Sequence, residues 1–427
     1  MKRDPLWWIG QANLPGTKRC RVPLHTDDVL DVGPEDPGGS DVPASAVERV
    51  WEAIEALYRT GVHPALQLCV RRRGVVVLNR AIGHARGNDP YDPPEGPKLS
   101  ASTETPFDIF SASKAITAMV IHKLDEQGRL HLEDRVCDFI PEFAQHDKHR
   151  ITLRHLLSHR AGIPNLPPEA MDLDLLGHPE KVVEIMCNAE LRSRPGRLLA
   201  YHAVSGGFVL GEVVKRVTGD DIRTVLEREI IEPLGYRWMR YGVKPEDLPL
   251  VAIDSTTGPP VPWPGSALLR NALGADLEDV IELSNDPRFL TGIVPSANVV
   301  STAFELCAFY QCLLDGGEQN GVRVFEPSTI RHATGEAAWW EIDWTLGLPI
   351  RYGLGFMLGS SGVSLFGSDN EEAYGHLGFT NTFSWADPER GIAVALNTNG
   401  KPVLSLHAVR LVQFLGAIGE AFPKLEP

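Results

Sequence analysis

Apolar, strand-like runs stand near both ends of this chain with a long helix-patterned stretch between them. No other feature narrows the choice of fold as much. Ala65-Leu-Gln-Leu-Cys-Val70 and Val75-Val-Val-Leu78 read as a β-hairpin, with Arg71-Arg-Arg-Gly74 as its solvated tip. Tyr374 to Trp385 and Ile392-Ala-Val-Ala-Leu396 read as strands turned by Asp387-Pro-Glu-Arg-Gly391. Between them, Ile151 to Leu157, Val209 to Val217, Ile222 to Ile231 and Thr302 to Leu314 carry helical spacing, while 245–298 is broken by Pro and Gly. Helices at 45–58 and 404–421 flank the strands. The expected fold class is α/β (α+β): a central antiparallel sheet flanked by helices, with an inserted, mostly helical domain. The expected boundaries are an N-terminal extension at 1–44, a discontinuous sheet domain at 45–135 and 336–427, and a helical domain at 136–335.

Phe107-Asp-Ile-Phe-Ser111-Ala-Ser-Lys114 puts a hydroxyl and an amine three residues apart at the opening of a helix whose apolar positions run from Ile116 to Leu124. Positions i and i+3 share a helix face, so the amine can lie beside the serine oxygen. Serine is a weak nucleophile until a neighbouring base takes its proton, and lysine serves as base only when its surroundings depress its pKa. The bland alternative is a capping serine followed by a surface lysine. A second serine, Ser205 in Ala203-Val-Ser-Gly-Gly207, nearly matches a nucleophile elbow. That motif needs a buried strand ahead of it, and the residues before Tyr201 supply little strand. Small residues there are expected to let helices pack.

Composition excludes other classes. The net charge of −15 lacks the basic footprint that nucleic acid requires. The six cysteines show no metal-like spacing, and no His-Glu-x-x-His, P-loop or dinucleotide fingerprint is present, so no metal, nucleotide or other cofactor is expected. The apolar run Leu6 to Ile9 is too short for a signal peptide, and no run is long enough to span a membrane; a cytoplasmic location is the expectation. Trp7 and Trp8 are read as packing residues.

The blocks in their order resemble the serine β-lactamase-like family, which includes penicillin-binding DD-peptidases, class C β-lactamases and family VIII carboxylesterases. Ser111-Ala-Ser-Lys114 is similar to the nucleophile motif, and Ile151-Thr-Leu-Arg-His-Leu-Leu-Ser-His159 to the block that follows it. Tyr201-His-Ala203 is similar to the tyrosine motif, Pro295 to Thr302 to the segment before the late helix, and His376-Leu-Gly378 to the Lys-Thr-Gly motif. The resemblance implies that Ser111 forms an acyl-enzyme, with Lys114 and Tyr201 sharing general-base and general-acid work. A tyrosine base near neutral pH needs adjacent cations to favour its phenolate. The resemblance also implies an oxyanion hole from the backbone N–H groups of Ser111 and Phe379, and substrate binding by His376 and Gly378.

Two departures discriminate among substrates. Lactam-processing members place a lysine where this chain has His376, and an asparagine where it has Ala203. Both changes point away from carboxylate-bearing lactams and toward uncharged esters, with short acyl chains. The expected function is therefore a serine carboxylesterase of family VIII type, with a small-molecule ester as partner. An acyltransferase sharing the same acyl-enzyme, a β-lactamase or DD-peptidase, and a non-catalytic homologue are the alternatives. Trp263, Trp339, Trp340, Trp344 and above all Trp385 are candidate wall residues of the acyl pocket, and loops at 165–180 and 255–295 its candidate rim.

Overall fold

A computed structural model describes residues 16–166, 172–403, 405 and 407–426. Trp7, Trp8, Leu404 and part of the 165–180 loop lie outside the described residues. Nine strands form one antiparallel sheet: β1 (Leu30–Val32), β2 (Ala65–Arg72), β3 (Val75–Arg86), β4 (Ala338–Asp343), β5 (Leu348–Tyr352), β6 (Met357–Leu358), β7 (Tyr374–Gly378), β8 (Thr382–Asp387) and β9 (Ile392–Thr398). Their order across the sheet is β1-β3-β2-β9-β8-β7-β6-β5-β4, and a short tenth strand, Leu99–Ser100, pairs with β3. The helices that bear on the site are α1 (Ala44–Tyr58), α2 (Ser113–Glu126), α3 (Ser205–Thr218), α4 (Gly265–Leu273), α5 (Leu277–Ser284), α6 (Ala303–Leu314), α7 (Pro327–Thr334) and α8 (His407–Ala421). Among the described residues no helix is long and apolar enough to cross a membrane.

The two ends of the chain meet in the middle of the sheet, where Leu396 of β9 lies opposite Leu68 of β2 and Ala395 opposite Cys69. Both faces there are covered, so the strands read as continuous apolar runs. Leu66, Leu68, Val70, Val394 and Leu396 pack in one buried layer with residues of α1 and α8. Cys69, Ala393 and Ala395 belong to the layer on the other face with α6, and their small side chains let that helix approach the sheet. Truncating a leucine such as Leu68 to Ala there costs about 2–5 kcal/mol.

The hairpin tip differs from its expectation. Arg73 and Gly74 make the two-residue turn with φ of 51° and 85°. Arg72, however, is only 1 % exposed. Its guanidinium donates to Asp41 Oδ1 at 2.8 Å and to the carbonyls of Arg390 and Pro423, tying the tip to both chain ends. Residues 16–44, expected as part of an N-terminal extension, join the sheet domain: β1 pairs with β3, and Glu35 holds Arg80. Helix α1 begins at Ala44, with Pro43 in the cap position.

A three-stranded sheet of Phe107–Asp108, Val299–Ser301 and Arg240–Tyr241 connects the helical part to α2. Ser113 through His122 is buried all round α2, which makes this helix the central post of the molecule. Whatever stands at its N-terminus is held rigidly.

Candidate active site

The chain enters α2 through a strained turn. Phe110 adopts φ of 46°, a left-handed conformation that costs a bulky residue about 1–3 kcal/mol. Asp108 Oδ1 accepts the Phe110 N–H at 3.0 Å, and the ammonium of Lys401 lies 4.4 Å from the centre of the Phe110 ring. Lys401 is itself buried and paired with Asp254 at 3.0 Å. Burial, with Asp254 adding to it, pushes the Asp108 carboxyl well above the ordinary range. The 3₁₀ turn Phe110–Ala112 then presents Ser111 at the edge of a cavity.

Lys114 Nζ sits 3.1 Å from Ser111 Oγ, 2.7 Å from the Ala203 carbonyl and 3.0 Å from the Ser296 carbonyl. Among the described residues no carboxylate pairs with it. Burial therefore pushes the amine well below the ordinary lysine range. A neutral amine has two N–H bonds and one lone pair. Once the amine has lost its third proton, the two carbonyls take both remaining N–H donors and the lone pair is left for the Ser111 hydroxyl.

Tyr201 is 6 % exposed, and the Lys114 ammonium position lies 4.7 Å from its ring centre. Its backbone N–H donates to Asp343 Oδ1 at 3.1 Å, and its ring stacks at a tilt against His159, centroids 4.7 Å apart. Burial pushes its pKa up, with a hydrogen bond from Ser111 working the other way. The cation-favoured phenolate that sequence reasoning called for is thus not what surrounds Tyr201; the buried phenol keeps its proton.

His159, His202 and His376 cluster behind these groups. Burial is the first cause holding all three below the ordinary histidine range, His202 and His376 at about 3. His376 is 1 % exposed, with Nδ1 2.7 Å from the Leu377 carbonyl. It stands beside Tyr201, ring centroids 6.2 Å apart, and is not among the residues that line the cavity. Gly378 and Phe379 do line it. A Cβ on Gly378 would fall 2.2 Å from the Ile109 carbonyl, so only glycine lets β7 come this close to the nucleophile turn.

The cavity measures about 330 Å³ and is apolar: Leu269, Leu273, Val280 and Leu283 stand on its walls together with Phe208 and Phe289. The expected tryptophans are elsewhere. Trp385 is buried on the sheet, stacked on Phe366 at 5.8 Å, and Trp263, Trp339, Trp340 and Trp344 are exposed and off the wall. Short helices α4 and α5, with phenylalanines such as Phe208 and Phe289, supply the apolar surface that the tryptophans were expected to give. The two expected loops do contribute to the wall, through Leu173 and Leu176 in one and α4, α5 and Phe289 in the other. Ser205 is fully buried and donates to the Ile163 carbonyl at 2.6 Å, which leaves it no access to substrate. Gly207 beside it packs against Ser296, which a Cβ would meet at 2.2 Å. Sequence reasoning missed Asp343 and Lys401; His159, His202 and Ser296 lay inside quoted motif blocks without a role.

Comparison with known proteins agrees with this architecture. The family model for Beta-lactamase matches residues 51–413. The chain is 30 % identical over 311 residues to the Esterase/beta-lactamase LipL of Mycobacterium tuberculosis, covering 68 % of each protein. A penicillin-binding protein homologue from Caulobacter crescentus superposes with a TM-score of 0.74 and 26 % identity, covering 90 % of this chain and 99 % of that one. A family VIII carboxylesterase superposes with a TM-score of 0.73 and 25 % identity, covering 88 % and 98 %. With Ser111 and Lys114 together at the mouth of an apolar cavity and the family model spanning most of the chain, this protein belongs to the beta-lactamase family of serine-hydrolase fold.

Proposed function

We propose that the protein is a serine carboxylesterase acting on uncharged esters with an aliphatic acyl group. The observation that carries the proposal is Lys114: a buried amine with no carboxylate partner among the described residues, held by two carbonyls beside Ser111 Oγ. In the reaction, Ser111 Oγ attacks the acyl carbonyl carbon while its proton passes to Lys114 Nζ. The oxyanion is stabilised by the N–H groups of Ser111 and Phe379, one such donor being worth about 3–4 kcal/mol. Collapse breaks the ester bond, and the Tyr201 phenol relays a proton to the leaving alcohol oxygen. Water then cleaves the acyl-enzyme by the same route in reverse.

The substrate class follows from charge. No cation faces the cavity from the position of His376, whose ring is neutral and set back from the wall, so a substrate carboxylate has no counter-ion there. The extended apolar wall favours acyl chains longer than the short ones suggested by sequence. Lactam hydrolysis is the second reading, because one relative is named both esterase and beta-lactamase. Turnover of p-nitrophenyl acetate, butyrate and octanoate beside nitrocefin, in wild type and Ser111→Ala, tests both. Ester turnover lost in the variant, with octanoate or butyrate preferred over nitrocefin, supports the proposal. Dominant nitrocefin turnover overturns the substrate class, and full activity of the variant overturns the mechanism.

A further inference from the structure

The far half of α2 carries a second group of interest. His122 and Asp125, one turn apart on α2, meet His332 of α7, and one donor atom from each lies within 4.8 Å of the others. His332 Nδ1 is 3.9 Å from Asp125 Oδ2, and the His122 and His332 rings meet edge to face with centroids 5.8 Å apart. His122 is 1 % exposed. Its Nε2 lies 3.0 Å from the Leu354 carbonyl. A carbonyl only accepts, so Nε2 carries the proton and Nδ1 keeps the lone pair. That Nδ1 is buried without a hydrogen-bond partner among the described residues.

An unpartnered buried lone pair is a standing cost unless something takes it. A carbonyl fixing the far nitrogen of a histidine is also how protein metal sites orient their ligands.

We propose that His122, Asp125 and His332 bind one divalent transition-metal ion, zinc or a chemical equivalent, with solvent in the remaining position. Two imidazoles and a carboxylate suit that class of ion. Metal–ligand bonds of about 2.0–2.2 Å require the donors to draw together by roughly 1 Å. His332 is exposed and Asp125 partly so, and rotation of these two side chains supplies the movement. The C-terminal turn of α2, where the ion would sit, also carries the negative end of the helix dipole.

Two neighbours shape the affinity. Arg154 Nη2 lies 3.2 Å from His332 Nε2 and must withdraw when Nδ1 binds metal, because Nε2 then holds the proton; Glu133 remains as its partner. His131 Nδ1, 3.4 Å from Asp125 Oδ1, competes for the other carboxylate oxygen. The site is eight residues from Lys114, about 12 Å along the helix. The ion therefore clamps α2 to α7 without touching the reacting atoms. The sequence expectation of no metal rested on local spacing, and the third donor, His332, lies more than 200 residues from His122 and Asp125.

The test titrates chelator-treated full-length protein, with its cysteines alkylated, with Zn²⁺ by calorimetry and with Co²⁺ by visible absorption. One equivalent bound with a micromolar or tighter Kd, a raised Tm and unchanged ester turnover are expected. His332→Ala, an exposed change, should abolish uptake while leaving the metal-free Tm unchanged, and Arg154→Gln should tighten binding several-fold. No saturable uptake, or uptake unaffected by both His332→Ala and Asp125→Asn, would overturn the proposal.

Discussion

The carboxylate of Asp343 accepts the backbone N–H of Tyr201 at 3.1 Å. A residue of the β4–β5 hairpin therefore fixes the main chain of the candidate acid. Asp343 is fully buried and also accepts the Thr345 and Leu346 N–H groups and the Tyr352 phenol. Removing it leaves several buried donors unpaired, each worth about 1–3 kcal/mol. Asp343→Ala should lower kcat by at least 10-fold and the urea midpoint with it. Asp343→Asn, which keeps one acceptor oxygen, should recover much of the stability; equal loss in both variants would show that the charge, not the acceptor, matters.

Lys114→Ala should lower kcat by about 10²–10⁴-fold with little change in KM, the usual scale for loss of a general base. Because burial depresses this amine, activity should fall as pH drops through its lowered pKa. A pH–kcat/KM profile whose acid limb disappears from the residual activity of Lys114→Ala supports the assignment. A limb that persists unchanged assigns it to another group.

Gly378→Ala should reduce kcat about 10²-fold, the scale expected for a 1 Å misplacement at the reacting atoms. The added Cβ would fall 2.2 Å from the Ile109 carbonyl and force β7 away from the nucleophile turn. Steady-state kinetics beside a thermal melt separates this from unfolding.

Stability should fall below neutral pH. His202 and His376 have folded pKa values of about 3 against an ordinary 6.5. Between those values the unfolded chain binds more protons, so stability is fully present above pH 6.5 and drains as pH falls toward 3. The Tm of His376→Asn should decline less steeply over that window than that of wild type. Parallel slopes would remove His376 from the account.

Ala272→Phe, on α4 in the cavity wall, should raise KM for p-nitrophenyl octanoate several-fold and leave acetate turnover near wild type. Equal effects on both esters would place the acyl chain elsewhere.

What could be read in the sequence divides along a physical line. Ser111 and Lys114 are three residues apart, and helix geometry alone brings them together. The sheet was legible because β2 and β9 are buried on both faces and so are rich in apolar residues, with Gln67 the one polar position between Ala65 and Val70. Asp343 was invisible because its carboxylate meets a backbone N–H more than 140 residues away in the chain, and Ser296 carried no role because it acts through its backbone carbonyl, which no side-chain pattern marks. The acyl wall was missed for a different reason: α4 and α5 are nine and eight residues long, too short between their Pro and Gly neighbours for the helical period to show. Arg72 looked solvated because charge was read from three adjacent arginines, whereas only the tertiary fold supplies Asp41 and two carbonyls to bury one of them.

The most direct test of the central claim is to locate a covalent fluorophosphonate adduct by peptide mass spectrometry. A single adduct on Ser111, absent from Ser111→Ala and slowed by orders of magnitude in Lys114→Ala, is predicted. Labelling on Ser205, or labelling that survives Ser111→Ala, would contradict it.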